Sequence, residues 1–151
     1  MKQTIILFFV LITNLGCKNN EIAQNNIHFG ESFTLKSNES VSISSATSDI
    51  RNIKIYFKKI NFDSRCPKSM CYSCYGSTAN INVVLINQKD TSDISLTILG
   101  CKDEYDCNDQ LYYRKDTLGF RFCLLRLDPY PDGNTPVNSS DYSAKLNIVE
   151  L

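Results

Sequence analysis

Histidine is almost missing from this chain: His28 is the only one in 151 residues. A blue-copper centre, which takes two histidines with a cysteine, therefore lacks ligands. The H-E-x-x-H zinc motif and the G-x-S-x-G nucleophile turn are absent as well, and no acid is placed by spacing to partner His28. A lone histidine beside a strand reads as incidental. An excess of charge is lacking too, since Lys plus Arg and Asp plus Glu both number 16. Without a block of basic residues there is no footprint for a phosphate backbone, which excludes nucleic acid as the expected partner. No stretch carries a 3.6-residue apolar period with capping residues, so helices are not expected.

The first residues stand apart from the rest. Lys2 supplies a positive start, and residues 4–12, TIILFFVLI, form an apolar run too short to span a bilayer as a permanent helix. Residues 1–16 read as a secretory signal. The following TNLGC resembles a bacterial lipobox, in which the cysteine, here Cys17, becomes the acylated start of the mature protein. It departs from the usual pattern in having Asn14 where leucine is usual, with Leu15 one place nearer. Cysteine parity favours acylation: setting Cys17 aside leaves six of the seven cysteines, an even number for an oxidising compartment. Loss of Lys2 with the signal leaves one net negative charge. Residues 17–29, rich in asparagine and poor in apolar side chains, read as a flexible tether ending near His28. The expected location is a bacterial cell envelope, with the membrane as a partner through the lipid.

From Gly30 the apolar residues alternate with period two, as in half-buried strands. Phe33 and Leu35, then Val41 and Ile43, flank a polar turn, and Ile53, Ile55 and Phe57 follow. The phase then slips to Ile60 and Phe62, which predicts a bulge or bend at Lys58 and Lys59. Ala79, Ile81, Val83 and Leu85 alternate next, with Val84 and Ile86 filling the other face near the end. Ile94, Leu96 and Ile98 make a further strand, and residues 111–115, 120–127 and 142–148 supply the rest, with a turn at 116–119. Seven or eight short strands in a single domain, residues 30–151, predict an all-β antiparallel sandwich. Immunoglobulin-like topology is the expected connectivity, and SSDYSA, with Tyr142 two residues before Ala144, resembles the start of an immunoglobulin strand F.

Half of the remaining cysteines fall in residues 63–76, DSRCPKSMCYSCYG. Cys66, Cys71, Cys74, Cys101, Cys107 and Cys123 read as three disulfides holding loops rigid, although spacing alone leaves the connectivity open. The expectation is that Cys101 pairs with Cys107, and that Cys123 ties its strand to the 63–76 loop. Cys71 and Cys74 also have the C-x-x-C spacing of thiol oxidoreductases, the alternative function, but lack the helix and βαβ pattern that lower a thiol pKa there. Structural zinc on the same thiols is disfavoured where disulfides form. Asp103, Glu104, Asp106, Asn108 and Asp109 gather the oxygen donors that calcium prefers, though without EF-hand spacing, and acidic loops are usually only solvated. Arg65 is expected either to pair with Asp63 or to present its guanidinium at the loop, and Tyr130, in the proline-rich 128–136 segment, is a candidate binding anchor.

The set FDSRCP, a further cysteine, Gly76 and Ala79 before a strand, the Pro129-Tyr130-Pro131 loop and the terminal Asp141-Tyr142 resembles a family of small bacterial secreted lipoproteins. The similarity runs over most of the chain from Phe33, and DSRCP is its most specific part. It implies a fold and a location and supplies no catalytic residue. The family's second cysteine falls where this chain has Tyr72, flanked by Cys71 and Cys74, so no pairing is carried over. Cys101, Cys107 and Cys123 are additions to the family pattern. The expected protein is a lipid-anchored, disulfide-stapled sandwich without cofactor, a binding or structural module for another envelope protein or a small ligand.

Overall fold

The structure, a computed structural model, describes residues 27–45, 52–73, 77–88, 90–108, 113–133 and 135–151. The signal, the Cys17 lipidation site, most of the tether, Cys74 and Asp109 lie outside the described residues. The strands are β1 (Ile27–His28), β2 (Ser32–Lys36), β3 (Ser40–Ser44), β4 (Ile53–Asp63), β5 (Thr78–Ile86), β6 (Thr91–Leu99), β7 (Arg114–Thr117), β8 (Phe120–Asp128) and β9 (Ser143–Glu150); β1 falls within the expected tether, β7 takes part of the expected turn at 116–119, and the others follow the apolar alternation. They form a five-stranded sheet in the order β1-β3-β4-β5-β6 and a four-stranded sheet in the order β2-β9-β8-β7.

The two sheets bury one core between them. Ile55, Phe57, Ile81 and Leu96 of the first sheet and Phe122, Leu124, Leu146 and Ile148 of the second belong to the same apolar cluster. Each such side chain contributes about 1.5 to 3 kcal/mol by leaving water. Val84, on the opposite face of β5, is buried as well, which accounts for the doubled apolar pattern at that strand's end.

The connectivity differs from the immunoglobulin-like expectation. β3 to β6 follow one another within one sheet and β7 to β9 within the other, whereas an immunoglobulin chain changes sheets between its B and C, its C and D and its E and F strands. Successive strands pair as neighbours in two packed meanders, with long connections at 64–77 and 129–142 and with β2 added to the free edge of β9.

The register of β4 against β5 shifts between Phe57 and Lys59, where the sequence phase slips, and again between Ile60 and Phe62. The first strand corrects the tether boundary: Ile27 and His28 pair in parallel with Ile43 and Ser44, and the Phe29 ring stacks on Phe120 at 5.3 Å. Residues 27–29 therefore belong to the sandwich and not to the tether, because Phe29 has core to cover and the Gly30 N–H has a carbonyl, that of Ile148, at 2.8 Å. The His28 backbone N–H donates to Glu31 Oε2 at 3.0 Å, and the ring Nδ1 lies 3.4 Å from Ser44 Oγ.

β7 and β8 join through Leu118 and Gly119, both at positive φ (55° and 79°), as a type I′ hairpin requires. From that tip β8 runs nine residues to Asp128, about 30 Å. Ile27 lies at the tip end, while Asp63 and Asp128 lie at the far one. Among the described residues no helix is long and apolar enough to cross a membrane.

Candidate recognition surface and its buried clasp

The far end of the sandwich is organised by the DSRCP segment. Where β4 stops, the Arg65 N–H donates to Asp63 Oδ1 at 3.0 Å, which turns the chain and brings the Arg65 side chain back over the carboxylate. Nε then donates to Oδ1 at 2.9 Å and Nη2 to Oδ2 at 2.7 Å, the two-pronged geometry that a planar guanidinium forms with a carboxylate. The remaining donors reach across to the other sheet, Nη1 to the Leu127 carbonyl at 2.7 Å and Nη2 to that of Pro129 at 3.1 Å. From β9's threshold the Tyr142 hydroxyl donates to Asp63 Oδ2 at 3.0 Å. Arg65 is only 5% exposed. The first of its two expected roles is thus the observed one, a fixed ion pair, and the guanidinium is not presented to solvent.

Burial, reinforced by the Asp63 carboxylate, pushes the Tyr142 hydroxyl up to about 12 from 10.0, since an ionised phenolate there would lose water and face a negative neighbour. FDSRCP, the PYP loop and the terminal DY pair, far apart in the chain, therefore meet at one carboxylate and one guanidinium.

Tyr130 lies on the outside of this clasp. Its ring covers the Arg65 guanidinium at 4.8 Å, with Lys68 Nζ at 5.4 Å, and its hydroxyl accepts from the Cys101 N–H at 2.6 Å. Two glycines permit the approach. A Cβ on Gly100 would stand 3.3 Å from the Tyr130 hydroxyl, and one on Gly133, already at φ 84°, would press on Pro67 at 2.7 Å. Two open depressions share Tyr130, one lined by Lys68, Lys102 and Asp103 and the other by Pro129, Pro136 and Val137.

The disulfides correct the expected pairing. Cys71 bonds to Cys101 with Cα atoms 5.3 Å apart, and Cys107 to Cys123 at 5.4 Å. Cys101 does not pair with Cys107, Cys123 does not tie β8 to the 63–76 loop, and the C-x-x-C spacing is not the bond that Cys71 forms. Cys66 is disulfide-bonded as well, its partner lying outside the described residues. The physical reason is Tyr105. Its ring is buried and stacks on Tyr113 at 3.8 Å, and its N–H donates to the Leu125 carbonyl at 2.8 Å. This draws the loop back along β8, so Cys107 arrives beside Cys123 while Cys101 stays at the end of β6.

The same anchoring disperses the acidic side chains. Asp103 pairs with Lys68, which holds its carboxyl below the usual range, Glu104 pairs with Lys145 at 2.6 Å, and Asp106 Oδ1 accepts from the Asn108 N–H at 2.8 Å. Among the described residues no three His, Cys, Asp or Glu side chains are grouped closely enough to hold a metal ion. Tyr142 stands out in the sequence through SSDYSA, whereas Tyr105 carries no signal beyond being an aromatic inside an otherwise polar loop. No family model matches the chain, and no curated protein or solved structure does either.

Proposed function

We propose that the protein is a lipid-anchored lipoprotein of the bacterial cell envelope, periplasmic or at the surface, whose sandwich serves as a non-catalytic binding or structural module. The observation that carries this reading is the convergence of three loops at the sandwich end farthest from Ile27. The 63–73 loop, the start of the 101–108 loop and residues 128–133 are held there by the Asp63–Arg65 clasp and the Cys71–Cys101 bridge. Rigid loops displayed on a sandwich are the usual seat of recognition. Tyr72, 84% exposed, and Tyr130, shared by both depressions, offer aromatic contact area there at low entropic cost. Another envelope protein or a small ligand fits this surface. The lipobox-like TNLGC and the likeness to small secreted lipoproteins support the envelope location.

The test is the intact mass of the protein drawn from native membranes, alkylated with and without prior reduction. The expected result is two or three acyl chains on Cys17 and no labelled thiol before reduction. A native protein labelled at Cys71 without reduction would replace the stapled module with a thiol protein.

A further inference from the structure

The two described disulfides are placed for different work. Cys123 lies on β8 and is 1% exposed, so its bridge to Cys107 is part of the packed sandwich. Cys71 and Cys101 instead line the open depression that Lys68, Lys102 and Asp103 share with Tyr130, which puts their bridge within reach of solvent at the recognition surface. Cys101 is also in the left-handed region, at φ 71°, a conformation that a residue with a Cβ resists. Two contacts stand against that resistance, the bond to Cys71 and the N–H donated to the Tyr130 hydroxyl. The chain on either side is fixed independently. The Gly100 N–H donates to the Ser77 carbonyl at 2.8 Å, and the Tyr105 N–H to that of Leu125 at 2.8 Å.

A second tie between the 63–73 and 101–108 loops, the Lys68–Asp103 ion pair, lies in water and holds weakly. The donors of Arg65 end on Asp63, Leu127 and Pro129, so the clasp does not depend on Cys101. Opening the Cys71–Cys101 bridge therefore frees the 68–73 turn and Cys101 from each other while the core, the clasp and the Cys107–Cys123 bridge keep the two sheets together. The depression suits that reaction. A thiolate leaving on Cys71 meets the Tyr130 hydroxyl, 3.9 Å from its Sγ, and the nearby ammonium groups of Lys68 and Lys102, and such neighbours make it the better leaving group. One thiolate of an incoming dithiol attacks Cys101 Sγ, the Cys71–Cys101 bond breaks, and a mixed disulfide forms. The second thiolate of the dithiol attacks the first one's sulfur and releases Cys101. The dithiol gives up two electrons and becomes a disulfide, and the two protons it loses end on Cys71 and Cys101.

We propose that the Cys71–Cys101 bridge is a redox latch on the recognition surface: a protein dithiol opens it through the depression lined by Lys68 and Lys102, and opening releases the 68–73 turn and Tyr130 from Cys101 without unfolding the sandwich. The latch rests closed, and it rests on the reading of this end as the displayed surface of a stapled module. The test takes the full oxidised chain and dithiothreitol, with alkylation, intact mass and residue-resolved amide exchange followed together. The expected product has Cys71 and Cys101 alkylated and the Cys107–Cys123 bridge closed. In it, exchange at the Cys101 amide rises about tenfold or more while β4, β5, β8 and β9 keep their protection. Cys71→Ala with Cys101→Ala should show the same loosening at position 101 with no reductant present, which separates it from reduction elsewhere in the chain. Lys68→Gln with Lys102→Gln should slow the opening several-fold. Unchanged exchange at Cys101 in the opened protein overturns the latch, as does loss of protection throughout the sandwich, which would make the bridge a structural staple. An opening rate that ignores the two lysines overturns the route through the depression. Each of these failures leaves the module standing with a permanently fixed surface. Free Cys71 in protein drawn from native membranes, read separately by mass, removes the stapled module and the closed latch with it.

Discussion

Arg65→Met tests whether the clasp is what fixes the far end of the sandwich. The substitution keeps most of the side-chain volume and removes the guanidinium, leaving a buried Asp63 carboxylate with only the Tyr142 hydroxyl and the backbone N–H of residue 65 as donors. Breaking a buried pair by removing one partner costs about 3 to 5 kcal/mol. The carbonyls of Leu127 and Pro129 lose their Arg65 donors at the same time. Set against a typical total of about 5 to 15 kcal/mol, this is a large share of the stability. Asp63→Leu combined with Arg65→Met takes away both charges and should cost less than Arg65→Met alone, because no carboxylate is then left buried without its cation. Urea unfolding at neutral pH with disulfides intact measures all the variants. A loss under about 1 kcal/mol for Arg65→Met, or a double variant equal to the sum of the singles, would refute the reasoning.

Tyr142 gives the sandwich a defined alkaline weakness. Its hydroxyl titrates near 12 in the fold and at its ordinary 10.0 in the unfolded chain, so between those values the folded state holds a proton that the unfolded state has lost. The contribution is complete below pH 10 and disappears as pH rises to 12, roughly 2 to 3 kcal/mol in all. The stability gap between wild type and Tyr142→Phe should shrink by that amount across the window, and a gap independent of pH would show that the hydroxyl is not held this way. The two described disulfides should part under mild dithiol reductant. Cys101 is exposed and Cys123 is buried, so timed alkylation and peptide mapping should find Cys71 and Cys101 labelled before Cys107 and Cys123. Replacing both Cys71 and Cys101, whose bridge closes a separation of 30 residues, should cost about 3.5 kcal/mol by loop entropy. Simultaneous release of all four thiols would contradict this order.

Period-two alternation is a local property, and it showed the inward face of nearly every strand, including Phe33 and Leu35 on β2 and the four inward residues of β5. The phase slip after Phe57 was legible for the same reason, since one extra residue exchanges the faces of a strand. Which sheet each strand joins is not local. Nothing in the alternation of β3 to β6 distinguishes a meander from strands that cross between sheets, and the topology expectation failed there. The disulfides failed similarly. Cys101 and Cys107 are close in sequence, but the buried ring of Tyr105 between them directs the chain so that each finds a distant partner. At the candidate site the sequence offered Arg65 and Asp63 as a pair, while the Leu127 and Pro129 carbonyls that complete it carry no side-chain signature at all.

A buried ion pair is a poor way to gain stability, since apolar residues of similar volume often do as well. What the Arg65 guanidinium adds is direction. Its donors reach Asp63 at the end of β4, Leu127 near the end of β8 and Pro129 just beyond it, and they can do so together in only one relative placement of the two sheets. An apolar pair at 63 and 65 would fill the space and allow the 128–136 loop to slide over it, taking Tyr130 away from the Cys101 N–H. The Asp63→Leu, Arg65→Met double variant can therefore retain much of the stability and still lose slow amide exchange at Cys101. That separation would identify the clasp as a device for holding a displayed surface in one shape, and protection at Cys101 equal to wild type would reduce it to packing.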